Sequence, residues 1–419
     1  MTSDYAVNDR QQEFDDEVRA WVGSALGAED EFGSLVRALP GVDPLLVVSA
    51  LEDLVAGGGP KTSRAMAVRR QVRDEPPTHA VTLERPLPHP LEFYWAYDAG
   101  SLDMLLARLG EVTAPGDYVA YLGAPNAFVK GLTRLADRHN VLLDRSVLRT
   151  RAMRERSAGG EVRQIDLLAS RLPALSARAA IMDPPWYPEL MRGFLWSAAS
   201  LIVVGGIVLA SVPPVGTRAT ASVEVDDLLA WADTGGFEVI ERQPGVLRYV
   251  SSPFELASHR AAGIGGVPLD WRCGDLVVLR LMRAFEHPRP RVMVNEDAWL
   301  PFVVDEVPIW VRDRDGDAGP IEGRLMAPLV VDDVLQSVSR RAPIRAQVDV
   351  WSSLNRVWSS SHPTALQALC RALADGADPA VEVEAELGRR LDSDEARQVE
   401  DTGAHLRAVV AREREEHGL

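Results

Sequence analysis

The stretch AAIMDPPWYP (residues 179–188) decides how the chain is read. AAIM is an unbroken apolar run, as expected of a strand buried on both faces. It leads straight into Asp183-Pro184-Pro185-Trp186. Two consecutive prolines fix φ and donate no amide hydrogen, so the turn is rigid and its carbonyls are open to a ligand. A carboxylate beside those carbonyls can accept the hydrogens of an amino group, while the tryptophan offers a flat face to a planar base or an ammonium. An amine held in this way aims its lone pair at an electrophile and has a proton acceptor beside it.

The flanking sequence alternates. Upstream, DYVAYLG (117–123) reads as a strand ending in glycine, AFVKGLTRLADRH (127–139) as a helix, and VLLD (141–144) and VRQIDLL (162–168) as strands. Downstream, PELMRGFLWSAAS (188–200) reads as a helix and GGIVLASVPP (205–214) as a strand. VEVDDLLAWADTGG (223–236) is a helix with a glycine stop, FEVIERQPGVLRYV (237–250) a hairpin closing on Ser251-Ser252-Pro253, and DLVVLRL (275–281) one more strand. Strands alternating with helices predict a parallel sheet covered on both faces, with ligands at the carboxyl ends of its strands.

In this order of elements the chain resembles a class I S-adenosylmethionine-dependent methyltransferase, and DPPW resembles the catalytic motif of amino-methyltransferases acting on adenine-N6. The resemblance implies a Rossmann-like α/β sheet that binds S-adenosylmethionine. It implies that Gly123, with Leu122, Ala124 and Asn126 around it, lies at the cofactor's methionine moiety. Asp144 would hold the ribose hydroxyls, Asp166 would sit near the adenine amino group, and Asp183, Pro184, Pro185 and Trp186 would receive the acceptor nitrogen. Vicinal hydroxyls favour a carboxylate, and close approach of a backbone to a ligand favours glycine. Pro125 removes a backbone donor from this loop, so Asn126 has to supply polarity through its side chain.

A second resemblance, across about residues 30–260, is to the branched-polyamine synthases, aminopropyltransferases that use decarboxylated S-adenosylmethionine. They join a winged-helix-like module to the same sheet and carry a DPPY-type turn with an acidic loop after the first strand. Leu122-Gly123-Ala124-Pro125-Asn126 has no carboxylate in that loop. Each missing charge pair in a partly buried site is worth on the order of 1–3 kcal/mol toward a cationic donor and acceptor. Methyl transfer to an amino nitrogen, with a nucleobase such as adenine as the acceptor, is therefore the favoured expectation. Aminopropyl transfer and a non-catalytic scaffold of the same fold are the alternatives.

Charge bounds the partners. The 419 residues carry 45 Lys+Arg against 61 Asp+Glu, a net −16, with hydrophobic residues at 46%, an ordinary globular value. Residues 1–60 hold a net −9 and residues 375–419 a net −7, so the span 61–374 is neutral. Broad non-specific grip on nucleic acid is disfavoured, because phosphate contacts need a basic face. The acidic ends instead suggest a protein partner or self-association. The length predicts two or three domains, and the sequence divides into a helical, winged-helix-like module (1–75), the Rossmann-like catalytic domain (76–285) and an α+β extension ending in an acidic helix (286–419).

Within the N-terminal module, a pair of short amphipathic segments breaks at Pro40-Gly41, with Asp43 placed to cap the second. GGGPKTS (57–63) superficially resembles a P-loop, but Pro60 precedes the lysine and no strand leads into it, so it reads as a wing tip or linker. Proline-rich sequence from Pro76 to Pro90 follows. In the C-terminal extension RVMV (291–294), PFVVDEV (301–307) and IWVR (309–312) are strand-like, and an Ala-rich helix starts at Thr364. Trp351 and Trp358 stand seven apart, on one face if helical, and read as core more readily than as a stacking platform. Phe93-Tyr94-Trp95 also reads as core, with lining of the cofactor's adenine as the alternative, while HPRPR (287–291) and ERPLPHP (84–90) could border the cleft.

Cys273 and Cys370 stand alone, and no metal or Ser-His-Asp pattern is present, so neither a disulfide framework nor a metal site is expected. The stretch from Phe194 to Thr217 is uncharged, but its serines, Gly205-Gly206 and Pro213-Pro214 favour a buried helix, turn and strand over a membrane span. The N-terminus lacks the apolar core of a signal peptide, so a cytoplasmic location is expected.

Overall fold

A computed structural model of the protein describes residues 2–74, 89–90, 95–156, 159–292, 298–314, 319–339 and 342–417. They divide into two compact units, the first drawn from 1–78, 94–251 and 264–293 and the second from 79–93, 252–263 and 294–419.

The first unit starts with helices α1 (Thr2–Ala25), α2 (Phe32–Ala38), α3 (Pro44–Ala56) and α4 (Thr62–Asp74). Phe14, Val18 and Val22 recur every fourth residue on α1 and are buried, as are Leu35, Val47, Leu51, Val68 and Val72 on the other helices. Asp43 caps α3 as expected, its carboxylate accepting from the Leu45 N–H at 2.9 Å. No strand occurs among the described residues of 2–74, so the expected wing is not seen there. GGGPKTS forms the α3–α4 turn and the start of α4, and Lys61 Nζ donates to the Gly23 carbonyl. The helices are tied to the rest of the unit by the Arg37 Nε–Asp270 Oδ1 contact (2.7 Å) and by N–H bonds from Gly216 to Pro40 O (2.9 Å) and from Gly265 to Val72 O (2.8 Å).

Next come β1 (Ala96–Tyr97), α5 (Ala99–Val112), β2 (Tyr118–Leu122), α6 (Pro125–Arg134), β3 (His139–Asp144), α7 (Val147–Arg156), β4 (Glu161–Gln164), β5 (Ala177–Met182), α8 (Pro188–Leu201), β6 (Ile202–Val212), α9 (Ala221–Gly235) and β7 (Phe237–Val250). After α10 (Pro253–Ala261) of the second unit, β8 (Cys273–Leu281) completes the sheet. Among the described residues the strand order is β1-β7-β8-β6-β5-β2-β3-β4. Strands β4, β3, β2, β5 and β6 are parallel, and β8 runs antiparallel between β6 and β7. This Rossmann-like arrangement, parallel strands with helices on both faces, is the fold the alternating pattern predicted. Alternate residues serve opposite layers: Leu122, Ala180 and Met182 pack with Met191 and Leu195 of α8, while Tyr121, Ala179 and Ile181 pack with Leu105 and Leu109 of α5 and Phe128 of α6. Burial on both faces is why these strands appear in sequence as continuous apolar runs.

Several expectations need correction. Residues 237–250 are one long strand, not a hairpin, because β7 pairs with β8 on both sides of Pro244-Gly245. The ladder passes from Gln243↔Leu276 to Leu247↔Gly274 and leaves a bulge, where the Gly245 N–H bonds Asp275 Oδ1 at 2.9 Å with Gly245 at φ +63°. Strand β4 stops at Gln164, opposite Asp144, and Asp166 lies in the loop beyond. Helix α6 ends at Arg134, because His139 already belongs to β3. The uncharged stretch is divided between α8, β6 and the loop after β6, and no helix among the described residues is long and apolar enough to cross a membrane.

The second unit contains β9 (Trp299–Val304), β10 (Val307–Arg312), β11 (Ala327–Pro328), β12 (Val350–Ser352), β13 (Val357–Ser359), α11 (Pro363–Asp375), α12 (Pro379–Leu387) and α13 (Ser393–His417). Its sheet runs β11-β13-β12-β10-β9. Trp351 and Trp358 lie on neighbouring strands, not on a helix, and face opposite sides: Trp358 joins the core under α11–α13, and Trp351 packs with Trp310 and Leu335. Both are core, as favoured. Arg291 and Val292 belong to no strand, and the rest of RVMV lies outside the described residues.

Candidate active site

Parallel pairing brings the carboxyl ends of β5, β2, β3 and β4 to one edge of the sheet, which places Asp183, Gly123, Asp144 and Asp166 along it. The Asp183 N–H bonds the Leu122 carbonyl and the Gly123 N–H bonds the Leu143 carbonyl, both at 3.1 Å, so the strand ends are laced together. Gly123 takes φ +65°, and a Cβ there would meet Phe194 Cε1 at 3.1 Å and the Asp183 carbonyl at 3.2 Å. Glycine is therefore required by backbone conformation and by contact with the DPPW turn itself.

The Asp183 carboxylate ends a chain of hydroxyls. Trp186 Nε1 donates to Ser211 Oγ at 3.3 Å, Ser211 shares a hydrogen bond with Tyr249 Oη, and Tyr249 Oη donates to Asp183 Oδ1 at 3.0 Å. Tyr97 stacks on Tyr249 with ring centroids 4.8 Å apart, and Trp186 meets Tyr249 edge-on at 5.8 Å. Burial pushes the Asp183 carboxyl up to about 7, and the hydroxyls of Tyr249, Tyr97 and Ser211 restrain that rise. The same burial, with the Asp183 charge adding to it, holds both tyrosines well above the ordinary phenol value, so they remain donors.

The turn is fixed from outside as well. The Tyr187 N–H bonds the Pro185 carbonyl at 2.7 Å, and Arg218 Nη2 donates to the Trp186 carbonyl at 2.6 Å. Arg218 is held by Glu224 (Nε to Oε2, 3.0 Å) and lies over the Tyr187 ring at 5.8 Å. Among the described residues no donor is bonded to the Pro184 carbonyl.

The other residues singled out in the sequence occupy varied surroundings. Leu122 and Ala124 are buried, so their side chains serve the core. Asn126 donates from Nδ2 to the Tyr97 carbonyl at 2.9 Å, and its buried Oδ1 has no partner among the described residues. Asp144 is buried and already engaged: Oδ1 accepts from the Ser146 N–H at 2.9 Å and Oδ2 from Arg149 Nη1 at 2.6 Å. Asp166 Oδ1 accepts from the Leu168 N–H at 2.8 Å. Arg289 of HPRPR binds the Leu167 and Ser170 carbonyls, both at 2.8 Å, so this patch braces the Asp166 loop. Phe93, Tyr94 and most of ERPLPHP lie outside the described residues, whereas Trp95 is half-buried with Arg272 at 4.8 Å from its ring. No group of three or more His, Cys, Asp or Glu among the described residues could hold a metal. Both cysteines are free and buried.

Tyr97, Ser211, Tyr249, Arg218 and Arg149 escaped the sequence reading. A signal existed for one of them: Ser211 is a hydroxyl within the apolar run of β6, and a buried hydroxyl needs a partner, although the sequence does not say which.

No protein-family model and no curated protein sequence matches the chain. Solved structures do. The branched-chain polyamine synthase C9 mutein from Thermus thermophilus, in complex with N4-aminopropylspermidine and 5'-methylthioadenosine, matches 70% of this chain and 96% of its own at 15% identity and TM-score 0.50. This likeness shows the fold. Branched-chain polyamine synthase from the same organism matches over 66% of this chain and 90% of its own, at 15% identity and TM-score 0.48. N-methyltransferase NodS from Bradyrhizobium japonicum WM9 with S-adenosyl-l-homocysteine matches 43% of this chain and 85% of its own, at 15% identity and TM-score 0.29.

Proposed function

We propose that the protein is an S-adenosylmethionine-dependent methyltransferase whose acceptor is an amino nitrogen, with adenine-N6 of a nucleotide or nucleic acid as the favoured group. The observation that carries this reading is Asp183 at the carboxyl end of β5, with its carboxyl pushed up to about 7 and an unengaged Pro184 carbonyl beside it.

The residues at the strand ends fit the cofactor. The orphaned Asn126 Oδ1 is an acceptor suited to an ammonium or amino hydrogen, and each Asp144 oxygen has spare lone-pair capacity for a ribose hydroxyl. Asp166 would accept from the adenine amino group, and Gly123 lets the loop turn back against the motif. When bound, S-adenosylmethionine supplies an electrophilic methyl carbon on a positively charged sulfur.

The chain's own groups do the rest. The Asp183 carboxylate and the Pro184 carbonyl accept the two N–H hydrogens of the acceptor, which sets the direction of its lone pair. Trp186, half-buried and braced through both its indole N–H and its carbonyl, gives the acceptor a flat surface. The proton lost by the nitrogen passes to Asp183, whose raised affinity near neutral pH suits it to take and release one. Tyr249 and Tyr97 keep the carboxylate oriented while it is charged.

Aminopropyl transfer is the second reading. What favours it is the fold likeness to the polyamine synthase, which covers 96% of that chain. Against it, residues 122–126 carry no acid that could pair with a cationic donor or acceptor. The test is label transfer from methyl-tritiated S-adenosylmethionine to adenine-bearing acceptors. Incorporation that vanishes in Asp183→Asn supports the proposal. Incorporation unchanged by that substitution, or aminopropyl transfer from the decarboxylated compound alone, overturns it.

A further inference from the structure

A stretch of the neutral central span is strongly basic. Residues 145–171 hold seven arginines against Glu155, Glu161 and Asp166. These residues include α7, β4 and the segment leading toward β5. Strand β4 is the edge of the sheet, and beside it opens a hollow of about 620 Å3. Arg154, Arg163 and Arg171 line the hollow, with Val162, Ile165 and Leu172 as apolar lining.

The protein satisfies these guanidinium groups incompletely. Arg154 donates from Nε to the Val162 carbonyl at 3.2 Å, and Arg163 from Nε to Glu161 Oε1 at 2.6 Å. Arg171 is exposed and has no partner among the described residues. Glu161 offsets Arg163, but Arg154 and Arg171 face no carboxylate among the described residues, so the hollow keeps a net positive charge that an anion would offset. Planar guanidinium forks match phosphate oxygens two at a time. An apolar lining beside them suits the sugar and base of a nucleotide unit better than a bare ion.

We propose that this hollow binds a phosphate ester carrying an apolar or planar body, of the kind found in a nucleotide or a nucleic-acid strand. The inference deepens the adenine-acceptor reading and rests on it for the identity of the ligand. Strand β4 is the third strand from β5, so the hollow's strand lies about 14 Å from the one that carries Asp183. A phosphate bound there belongs to a neighbour of the reacting group in a strand. The overall −16 charge does not oppose this, because the excess acid lies in the two ends.

The test is fluorescence anisotropy of the full chain with a labelled single-stranded oligoadenylate of about 12 nucleotides, competed by AMP and by pyrophosphate. The wild type binds. The pair Arg154→Ala with Arg171→Ala weakens binding at least tenfold and lowers the slope of log K against log salt by about 1.4, or about 0.7 per phosphate contact removed. Arg171→Ala alone touches no contact within the protein and keeps the wild-type urea midpoint, so its weaker binding is not a folding effect. Glu161→Gln frees Arg163 and tightens binding about two- to threefold.

Competition by AMP as strong as by the oligonucleotide assigns the site to a mononucleotide, and competition by the strand alone assigns it to nucleic acid; both outcomes support a phosphate-ester site. No binding of any of the three, or equal binding by the double variant, overturns it. Titration of S-adenosylmethionine into the same samples separates this claim from the transfer reading. If the wild type binds oligoadenylate but not the cofactor, the transferase reading fails while the phosphate site stands.

Discussion

Tyr249 Oη donates to Asp183 Oδ1 at 3.0 Å, joining β7 to the end of β5 across 66 residues of sequence. The same hydroxyl is bonded to Ser211, which in turn accepts from Trp186. The DPPW turn is thus closed through two other strands, and its carboxylate and its indole are positioned by one network.

Tyr249→Phe removes one of the hydroxyls that hold the Asp183 carboxyl down. Transfer needs the ionised carboxylate, so the rate of the wild type rises with pH through about 7. Loss of one hydrogen bond to a charged group is worth about 1.5 kcal/mol, so the variant's acid limb moves upward by about one pH unit. Rate against pH for the two proteins checks the direction. An unmoved limb would remove Tyr249 from the acid–base network.

Asp183→Asn is expected to abolish transfer and yet stabilise the fold at alkaline pH. The carboxyl is raised from 3.8 in the unfolded chain to about 7 in the folded one. Its contribution to stability is therefore fully present below 3.8 and is lost as pH rises through 7. Relative to the wild type, the variant should gain on the order of 1–3 kcal/mol between pH 4 and pH 8, measured by urea unfolding at both.

Gly123→Ala places a side chain at φ +65° and within 3.1 Å of Phe194 and 3.2 Å of the Asp183 carbonyl. A cost of about 1–3 kcal/mol in urea unfolding is expected, with a drop in transfer rate because the strain falls on the DPPW turn. Wild-type stability would show that the loop is not held against the motif.

In the second unit, Glu395 accepts from Arg389 Nη2 at 2.7 Å and from the Ile321 N–H at 2.8 Å, and the Arg389 guanidinium is the main reason its carboxyl sits down at about 2. A lowered carboxyl stabilises above its unfolded value of 4.5, and the gain is lost as pH falls toward 2. Glu395→Gln should cost about 2 kcal/mol at pH 7, and the difference from the wild type should shrink steadily between pH 4.5 and 2. A difference independent of pH would show that the charge is not what matters.

The fold was legible where burial on both faces wrote itself into the chain as apolar runs, as in AAIM and GGIVLASV. It was misread where tertiary pairing overrode local chemistry. Pro244-Gly245 has the composition of a turn, yet the length of β8 keeps β7 in one piece and turns the pair into a bulge. Trp351 and Trp358 are core, as expected, and they reach it from adjoining strands whose V-W pairs send them to opposite faces. The DPPW turn carried its own signal because its chemistry is contiguous. Its support was not legible, since Tyr97, Ser211 and Tyr249 meet Asp183 only through folding. Asp144 was found as a strand-end carboxylate, while Arg149, which engages it, lay five residues on without any motif to mark it.

Isothermal titration of the full chain with S-adenosylmethionine and with its decarboxylated form tests the central claim most directly. The account expects micromolar binding of S-adenosylmethionine, weaker binding of the decarboxylated compound because residues 122–126 offer it no carboxylate, and an Asp183→Asn affinity within a few fold of the wild type. Binding of neither compound, or a clear preference for the decarboxylated one, would contradict it.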